Sequence, residues 1–312
     1  MTEPERAPQR RRRWVVVAAG AAVVLVAGTV LVTQLHGPDR EARPSAVAAP
    51  RSASPTPTPP PTLAAVPAAP SAAALAALPL AFHDAVVPQL LDGTQGHAEN
   101  AWTTAAPKSP LIALFASPDA DAAPVASLSS TVTTLNTPTT TAVWGRSPGV
   151  DGGMVLVSTP SRKQTPGDGG VATAPSATFA WVRAADLTLT PVDRVVRIDN
   201  AASTISIVRR DGSVDTSEPA RLGTPQDPTP AATKTYMEAN YVDPQVTYTQ
   251  GHPIALTGAH SATLSGYGGN AALTALHYYP DPNGSSHGCV RITATMTDAL
   301  SKLPVGTPIE FS

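Results

Sequence analysis

The stretch SSHGCVRIT, residues 285–293, contains the only cysteine of the 312-residue chain. A loop of small residues, 283–286, precedes Cys289, and a helix is predicted over 293–303. Amide dipoles at the start of a helix favour negative charge, so we expect them to lower the pKa of the thiol. Gly288 lets a substrate backbone come close and frees the neighbouring amides to point at an oxyanion. The pattern therefore indicates a reactive cysteine.

Nearby histidines supply candidate bases for this thiol. His277 ends a predicted strand over 272–278, whose alternation places it on the opposite face from Leu276. A strand that ends just before the nucleophile loop delivers its side chain to that loop, so we expect His277 to be the base. His287, in the turn before the cysteine, and His260 are the alternatives. A cysteine, a base and amide donors together indicate acyl transfer through a covalent intermediate.

A single cysteine is also compatible with a role outside catalysis. It could be a small buried hydrophobic residue, an accident of composition, or half of an intermolecular disulfide. An oxidising external compartment disfavours an idle free thiol, because such a thiol oxidises or pairs wrongly. The cysteine and histidines lack metal-ligand spacing, so we expect neither a metal nor another cofactor.

The N-terminus predicts an external location. Arginines at 6 and 10–13 precede an uncharged apolar run at 14–33. At about 1.5 Å per residue, this run makes roughly 30 Å of helix, enough to span a bilayer core. We expect an uncleaved transmembrane helix at 14–33, a cytoplasmic basic tail at 1–13, and an extracytoplasmic remainder. A cleaved signal peptide is the alternative.

A disordered linker rich in Pro and Ala is predicted over 34–80, because its composition cannot bury a core. Beyond it we expect a mostly β protein: a small all-β domain of unknown role at 81–190 and a catalytic domain at 191–312. Short β-like runs separated by turn residues support this division. The predicted strands are 111–116, 154–158, 178–183, 195–200, 204–210, 253–260, 272–278 and 307–311. Within the predicted helix, Thr295 and Asp298 have capping-box spacing, and Pro304 ends it.

The charge distribution argues against a nucleic-acid partner. The chain has a formal net charge of −2, although residues 1–13 carry five arginines and only two glutamates. The exterior portion is therefore acidic and has no basic block with which to bind phosphates.

The hexamer SHGCVR at 286–291, preceded by a histidine on a strand, resembles the signature of YkuD-type L,D-transpeptidases. DRVVRIDNAASTISIVRRDG (193–212) is similar to that family's opening hairpin, LGTPQDPTP (222–230) to its Pro-Thr-Pro segment, and LPVGTPIEF (303–311) to its last strand. Residues 154–189 resemble the segment that precedes the catalytic domain in actinobacterial members. The resemblance implies a β-sandwich catalytic domain with a short helix after the nucleophile.

The resemblance also implies roles for individual residues. Cys289 would attack the peptidoglycan stem-peptide bond before the terminal D-alanine, and His277 would accept and donate the proton. His287 would help to hold the site. The amides of Gly288 and Cys289 would form the oxyanion hole. Arg291 would shape the pocket.

Tyr267 and Ser286 are expected to bind substrate. The resemblance implies that the protein binds peptidoglycan stem peptides. We expect a monomer that its N-terminal helix anchors in the membrane. His277 precedes Cys289 by 12 positions, fewer than is usual in the family. Two alternatives remain: an L,D-carboxypeptidase, in which water resolves the thioester, and a catalytically silent cell-wall binding protein.

Overall fold

A computed structural model describes residues 62–94, 100–132, 134–266 and 269–312. The predicted cytoplasmic tail, the predicted transmembrane helix and most of the predicted linker lie outside these residues. Within the described ranges, neither helix has the length and apolar character needed to cross a membrane.

The described residues form a mostly β protein, as predicted. The strands are β1 (Leu80–Ala81), β2 (Leu91–Asp92), β3 (Thr103–Pro107), β4 (Leu111–Phe115), β5 (Pro124–Ser129), β6 (Thr131–Val132), β7 (Thr137–Pro138), β8 (Thr141–Ser147), β9 (Met154–Thr159), β10 (Thr178–Arg183), β11 (Leu187–Pro191), β12 (Arg194–Asp199), β13 (Thr204–Arg209), β14 (Val214–Pro219), β15 (Thr233–Tyr241), β16 (Ile254–His260), β17 (Leu273–Tyr278), β18 (Val290–Ile292) and β19 (Pro308–Phe311). The α-helices are α1 (Ala72–Ala76) and α2 (Ala294–Leu300), and 3-10 turns occupy Val150–Gly152, Asp168–Gly170, Ala184–Asp186 and Thr247–Thr249.

The C-terminal sheet, in the order β14-β13-β12-β19-β15-β16-β17-β18, carries the SHGCVR segment at one edge. A register shift in β15 between Met237 and Ala239 marks an irregularity at its middle. Ile205 of β13 and Val290 of β18, near opposite ends of the order, belong to the same buried cluster. The expected sandwich is therefore one continuous sheet that folds back over a shared core.

Helix α2 covers that core from the nucleophile side. Met296 and Leu300, four residues apart on one helix face, are buried in it. The expected cap at Thr295 is wrong, because Thr293 is the N-cap and its hydroxyl accepts from the Met296 amide at 3.1 Å. A strand, β18, separates this helix from Cys289.

The N-terminal sheet, in the order β1-β5-β4-β10-β9-β8-β3-β11, with β2 beside β10, curls around its own apolar core. Residues 62–79, which composition assigns to the linker, contain α1 and contact this sheet. Val66 and Leu75 pack against Phe115 and Met154, and the Val150 amide donates to the Ala64 carbonyl at 2.9 Å. These contacts attach the end of the linker segment to the first sheet.

The two sheets belong to the same compact unit, Pro59–Ser312, and share buried contacts. Arg162, which follows β9, is completely buried and reaches the loop between β16 and β17. There it donates to the carbonyls of Asn270 (2.6 Å), Ser261 (3.1 Å), Leu264 (2.6 Å) and Ser265 (3.1 Å). The first sheet therefore fixes the loop that leads into β17.

Candidate active site

Cys289 lies immediately before β18, which pairs with β17. The two strands are parallel, with Leu276 opposite Val290 and His277 opposite Arg291. Leu276 and Val290 point into the core. Because side chains alternate along a strand, His277, Cys289 and Arg291 all lie on the other face of this pair. The fold thus brings the predicted nucleophile, base and arginine together.

His277 has a defined tautomer. Its Nδ1 lies 2.9 Å from the carbonyl oxygen of Tyr278, which can only accept, so Nδ1 carries the proton. The neutral ring then keeps a lone pair on Nε2. Burial lowers the pKa of His277, the Tyr278 hydrogen bond opposes this, and the charges of Arg291 and Arg221 lower it further. A neutral imidazole with an unprotonated Nε2 is equipped to act as a general base.

The expected lowering of the Cys289 pKa by a helix N-terminus is wrong. Burial raises the pKa of this thiol, although a hydrogen bond from the Ala275 backbone and the charge of Arg291 both act to lower it. The physical reason is β18, which carries the chain away from Cys289 before α2 begins. Macrodipole effects fall off within the first turn of a helix. Cys289 and His277 therefore rest as neutral thiol and neutral imidazole.

The SHGC turn is held from inside by Ser286. This residue is buried (4% exposed), and its hydroxyl donates to the Cys289 carbonyl and accepts from the Gly288 amide at 3.1 Å. The Ser286 hydroxyl is thus engaged within the turn and not directed at a substrate. The Gly288 amide, expected in the oxyanion hole, is occupied by the same hydroxyl.

Glycines on both sides let this turn pack closely. Gly288 has φ +101°, a left-handed conformation that favours glycine. It lies against the loop at 223–229, where a Cβ added to Gly223 would come within 3.0 Å of the Gly288 nitrogen and would overlap the Asp227 carbonyl oxygen. The segment noted for its Pro-Thr-Pro sequence therefore supports the nucleophile turn.

His287 is exposed and paired with an acid. Its Nδ1 lies 2.6 Å from Asp227 Oδ2, and its side chain is 73% exposed. The pair joins the nucleophile turn to the 223–229 loop. This geometry suits the supporting role expected for His287.

Aromatic rings form a wall around His277. The ring centroid of Tyr248 lies 5.4 Å from that of His277 and 5.5 Å from that of Tyr279. Arg291 stacks on Tyr279, with its guanidinium carbon 3.9 Å from the ring centroid. Arg291 thus lies in the wall of rings beside His277, and its role in shaping the pocket stays a prediction. Tyr248 is 45% exposed, which leaves part of its ring available to a ligand.

Of the two remaining candidates, one lies elsewhere and the other is not described. His260 is fully buried beneath the first sheet, where its Nε2 lies 2.7 Å from the His83 carbonyl, and burial lowers its pKa to about 3. The structure therefore assigns His260 to packing between the sheets. Tyr267 lies outside the described residues. Among the residues that the structure covers, no cluster of His, Cys, Asp and Glu could hold a metal ion.

Sequence reasoning missed three residues of this site. Asp227 and Arg221 are loop residues about 60 positions away in sequence from the groups that they contact, and Tyr248 lies on the 3-10 turn Thr247–Thr249. The aromatic run at 278–279 was the only sequence signal for a ring wall. No local pattern identifies the other contacts.

Residues 193–311 match the family model described as the L,D-transpeptidase catalytic domain, YkuD. An L,D-transpeptidase of Enterococcus faecium is 20% identical over 38% of this chain and 50% of its own, with a TM-score of 0.27. L,D-transpeptidase 1 of Mycobacterium tuberculosis is 18% identical over 43% and 77%, with a TM-score of 0.29.

An L,D-transpeptidase of Mycobacterium smegmatis is 18% identical over 51% of this chain and 90% of its own, with a TM-score of 0.30. The chain spans about half the length of the Enterococcus faecium protein. No curated protein matches the chain. The family that this chain matches is thus the YkuD L,D-transpeptidase catalytic domain, and the match covers residues 193–311.

Proposed function

We propose that this protein is a peptidoglycan L,D-transpeptidase that works through a Cys289 thioester. One observation carries the proposal: within the family-matched residues, His277 on β17 and Cys289, immediately before β18, lie on the same face of this strand pair. A cysteine beside a neutral imidazole is the pair that acyl transfer requires.

The acylation step follows from the tautomer of His277. Nε2 accepts the thiol proton while Sγ of Cys289 bonds to the carbonyl carbon that precedes the terminal D-alanine of a stem peptide. Because the thiol is protonated at rest, proton removal accompanies the attack. The carbon–nitrogen bond to D-alanine then breaks. The imidazolium returns the proton to the leaving amine, which leaves a thioester on Cys289 and a neutral His277.

The transfer step reverses this proton path. An acceptor amine attacks the thioester, His277 takes the amine proton, and Sγ leaves as a thiol after reprotonation. An amide bond replaces the thioester, and the enzyme is regenerated. If water enters instead, the same intermediate yields a carboxylic acid, which is the L,D-carboxypeptidase alternative. The exposed His287, paired with the half-buried Asp227, lies on the solvent side of the turn, where we expect an acceptor to approach.

The cellular setting is also part of the proposal. A substrate in the cell wall requires an extracytoplasmic catalytic domain, which fits a single N-terminal anchor at 14–33 and a spacer at 34–61 with an extended reach of roughly 90 Å. We propose a monomer, because the Cys289–His277 pair is formed within one chain. Protease added outside intact cells should remove the catalytic domain and leave the N-terminus protected. A mature protein that begins near Ala49 would instead show a cleaved signal.

The proposed activity is tested with defined stem peptides. The full chain is incubated with a tetrapeptide stem, with and without an amine acceptor, and the products are identified by mass spectrometry. We expect D-alanine release and, with the acceptor, a cross-linked product. Cys289→Ser should release no D-alanine, because a serine hydroxyl is a far weaker nucleophile without ionisation. Hydrolysis alone in the presence of acceptor would favour the carboxypeptidase, and turnover by Cys289→Ser would exclude both enzymes.

A further inference from the structure

The side chain of Arg221 holds the loop that connects the two reacting residues. Its guanidinium donates from Nη2 to the Tyr279 carbonyl at 2.9 Å, and from Nη1 to the carbonyls of Asp281 and, at 3.2 Å, Asn283. These carbonyls belong to the segment that leaves His277 and leads to Cys289 (residues 279–283). One side chain therefore bonds to three successive points of the connection.

This loop has little else to fix it. Residues 280–285 are exposed, and Gly284 adopts a left-handed conformation with φ +80°. Asn283 donates its amide to Asp281 Oδ1 at 2.8 Å, which shapes the loop tip without attaching it to the body of the protein. None of the ion pairs within the described ranges includes Arg221. Its fork of donors is directed at backbone carbonyls and not at a carboxylate.

The backbone of Arg221 is itself fixed to β18. Arg221 and Arg291 exchange two backbone hydrogen bonds of 2.9 Å, so this segment extends the sheet beyond its edge strand. The Ser286 amide donates to the Leu222 carbonyl at 3.1 Å. Tyr279 lies between the two arginines, 3.9 Å from the guanidinium carbon of Arg291 and 5.8 Å from that of Arg221. Arg221 thus links the sheet edge to the loop on a short, rigid path.

We propose that Arg221 is a positioning residue of the active site, which fixes the 279–283 loop so that Cys289 is held beside His277. Only 12 positions separate His277 from Cys289, so we expect a displacement at the tip of this short connection to be transmitted to both ends. The role concerns the geometry of the thiol–imidazole pair, and its relevance to transpeptidation rests on the proposed function. A misplacement of about 1 Å in such a pair can cost on the order of 10²-fold in rate.

For holding the loop, the planar arrangement of the guanidinium donors matters more than the positive charge. A guanidinium presents five donors in a fixed plane, whereas a lysine ammonium is a compact point charge with a different reach. Arg221→Lys should therefore keep the positive charge but lose the bonds to three carbonyls. Arg221→Met removes both the charge and the hydrogen-bond donors and keeps an aliphatic side chain of similar length. If Arg221 positions the loop, both variants should weaken the activation of the Cys289 thiol by His277.

The charge has a separate effect on His277. The groups that face this ring are Arg291 from β18, Arg221 from the adjoining segment, the rings of Tyr248 and Tyr279, and Cys289. Both arginines lower the pKa of His277. Arg221→Met should raise the pKa of this histidine, whereas Arg221→Lys should leave it near the wild-type value. Histidine NMR titration therefore separates the electrostatic effect from the geometric one.

The test uses the rate at which iodoacetamide alkylates the full chain at pH 7. Because Cys289 is the only cysteine, this rate reports the activation of one thiol and requires no transpeptidase substrate. We compare wild type, Arg221→Met, Arg221→Lys, His277→Ala and the double variant Arg221→Met/His277→Ala. We expect Arg221→Met and Arg221→Lys to react about tenfold or more slowly than wild type. The double variant should react no more slowly than His277→Ala alone, because the position of the base no longer matters once the base is gone.

Arg197→Met serves as the matched control, because Arg197 bonds to Glu310 and not to the loop, and it should alkylate at the wild-type rate. Thermal unfolding of each variant identifies any that fail to fold, in which case Arg221→Lys decides the outcome. Alkylation of Arg221→Lys within threefold of wild type would overturn the proposal. The proposal would also be overturned if Arg221→Met slowed alkylation by the same factor in the wild-type protein and in His277→Ala. If the wild type releases no D-alanine from any stem while these alkylation results hold, the proposed function fails and the positioning role stands.

Discussion

Arg162→Met should destabilise the protein strongly, although the new side chain is apolar and the site is buried. Arg162 is completely buried and donates to four carbonyls of the β16–β17 loop. Replacing buried charged residues by hydrophobic ones is often neutral when both partners are replaced. Here the partners are backbone carbonyls, which remain after the substitution and lose their donors.

The magnitude follows from those four hydrogen bonds. Each contributes about 1 kcal/mol net, and a buried carbonyl without a partner costs about 1–3 kcal/mol. Ser261 is buried, whereas Ser265 is exposed, so some of the carbonyls regain hydrogen bonds from water. We therefore expect a loss of about 2–4 kcal/mol in unfolding free energy. For a unit of this size, that corresponds to a fall of about 4–16 °C in Tm.

The assay is thermal and urea unfolding of the full chain, followed by circular dichroism. Arg146→Met is the matched control, because Arg146 lies in the first sheet but is exposed and makes a single long contact, 3.4 Å to Thr103 Oγ1. It should change the unfolding free energy by less than about 0.5 kcal/mol. Hydrogen exchange should accelerate in the β16–β17 loop of Arg162→Met. Equal unfolding free energies for the two variants would show that the buried guanidinium does not stabilise this loop.

Three further outcomes concern the active site, and a fourth concerns a buried acid. His277→Ala should slow Cys289 alkylation near neutral pH by about 10²–10⁴-fold, and His287→Ala much less; a larger effect of His287→Ala would move the base to that residue. Because the pKa of His277 is lowered, base-assisted acylation should persist below pH 6.5 and be lost only as the pH falls through that lowered value; a rate already halved above pH 6.5 would contradict this. Gly223→Ala should reduce the acylation rate at least about tenfold, because the added methyl comes within 3.0 Å of the Gly288 amide nitrogen. A wild-type acylation rate in this variant would show that the turn can shift. Glu238 is buried on β15, and burial raises its pKa to about 8, so the folded state keeps a proton that the unfolded state loses. Stability should fall by up to about 1.4 kcal/mol per pH unit between about pH 4.5 and 8, measured by urea unfolding, and Glu238→Gln should show a flatter profile.

Sequence pattern predicted the strands whose apolar residues alternate. β12, β13 and β17 lie where their periodicity places them, because buried and less buried residues alternate over most of each strand, although Val195, Val208 and His277 are buried on the opposite face. β15 was missed, although it lies in the middle of the C-terminal sheet. Its sequence, TKTYMEANY, carries Lys234 and the buried Glu238, so it lacks the apolar pattern of a central strand.

The placement of Cys289 and His277 on one face of neighbouring strand segments was also predictable, because an unusual cysteine and a strand-borne histidine are local features; their catalytic roles stay a prediction. The direction of the thiol's pKa shift was not predictable, because it depends on β18, which separates Cys289 from α2. This strand has only three residues, and no sequence pattern marks it. Arg221 and Asp227 reach the site only through folding of the segment that precedes β15. Contacts of this kind are set by tertiary structure and leave no sign in the neighbouring sequence.

A covalent acyl-enzyme on Cys289 is the essential intermediate of the proposed function, and intact-protein mass spectrometry detects it directly. The full chain is mixed with a tetrapeptide stem, and the reaction is quenched in acid before turnover is complete. The mass of the intact protein is then measured, and the protein is digested to locate any adduct. We predict a mass increase equal to the mass of the tetrapeptide minus the mass of free D-alanine, because the thiol hydrogen leaves with the released amino acid. That adduct should lie on the peptide containing Cys289, and it should be absent from Cys289→Ser. Release of D-alanine by the wild-type protein with the acyl group on another residue, or by Cys289→Ser, would contradict the proposed mechanism.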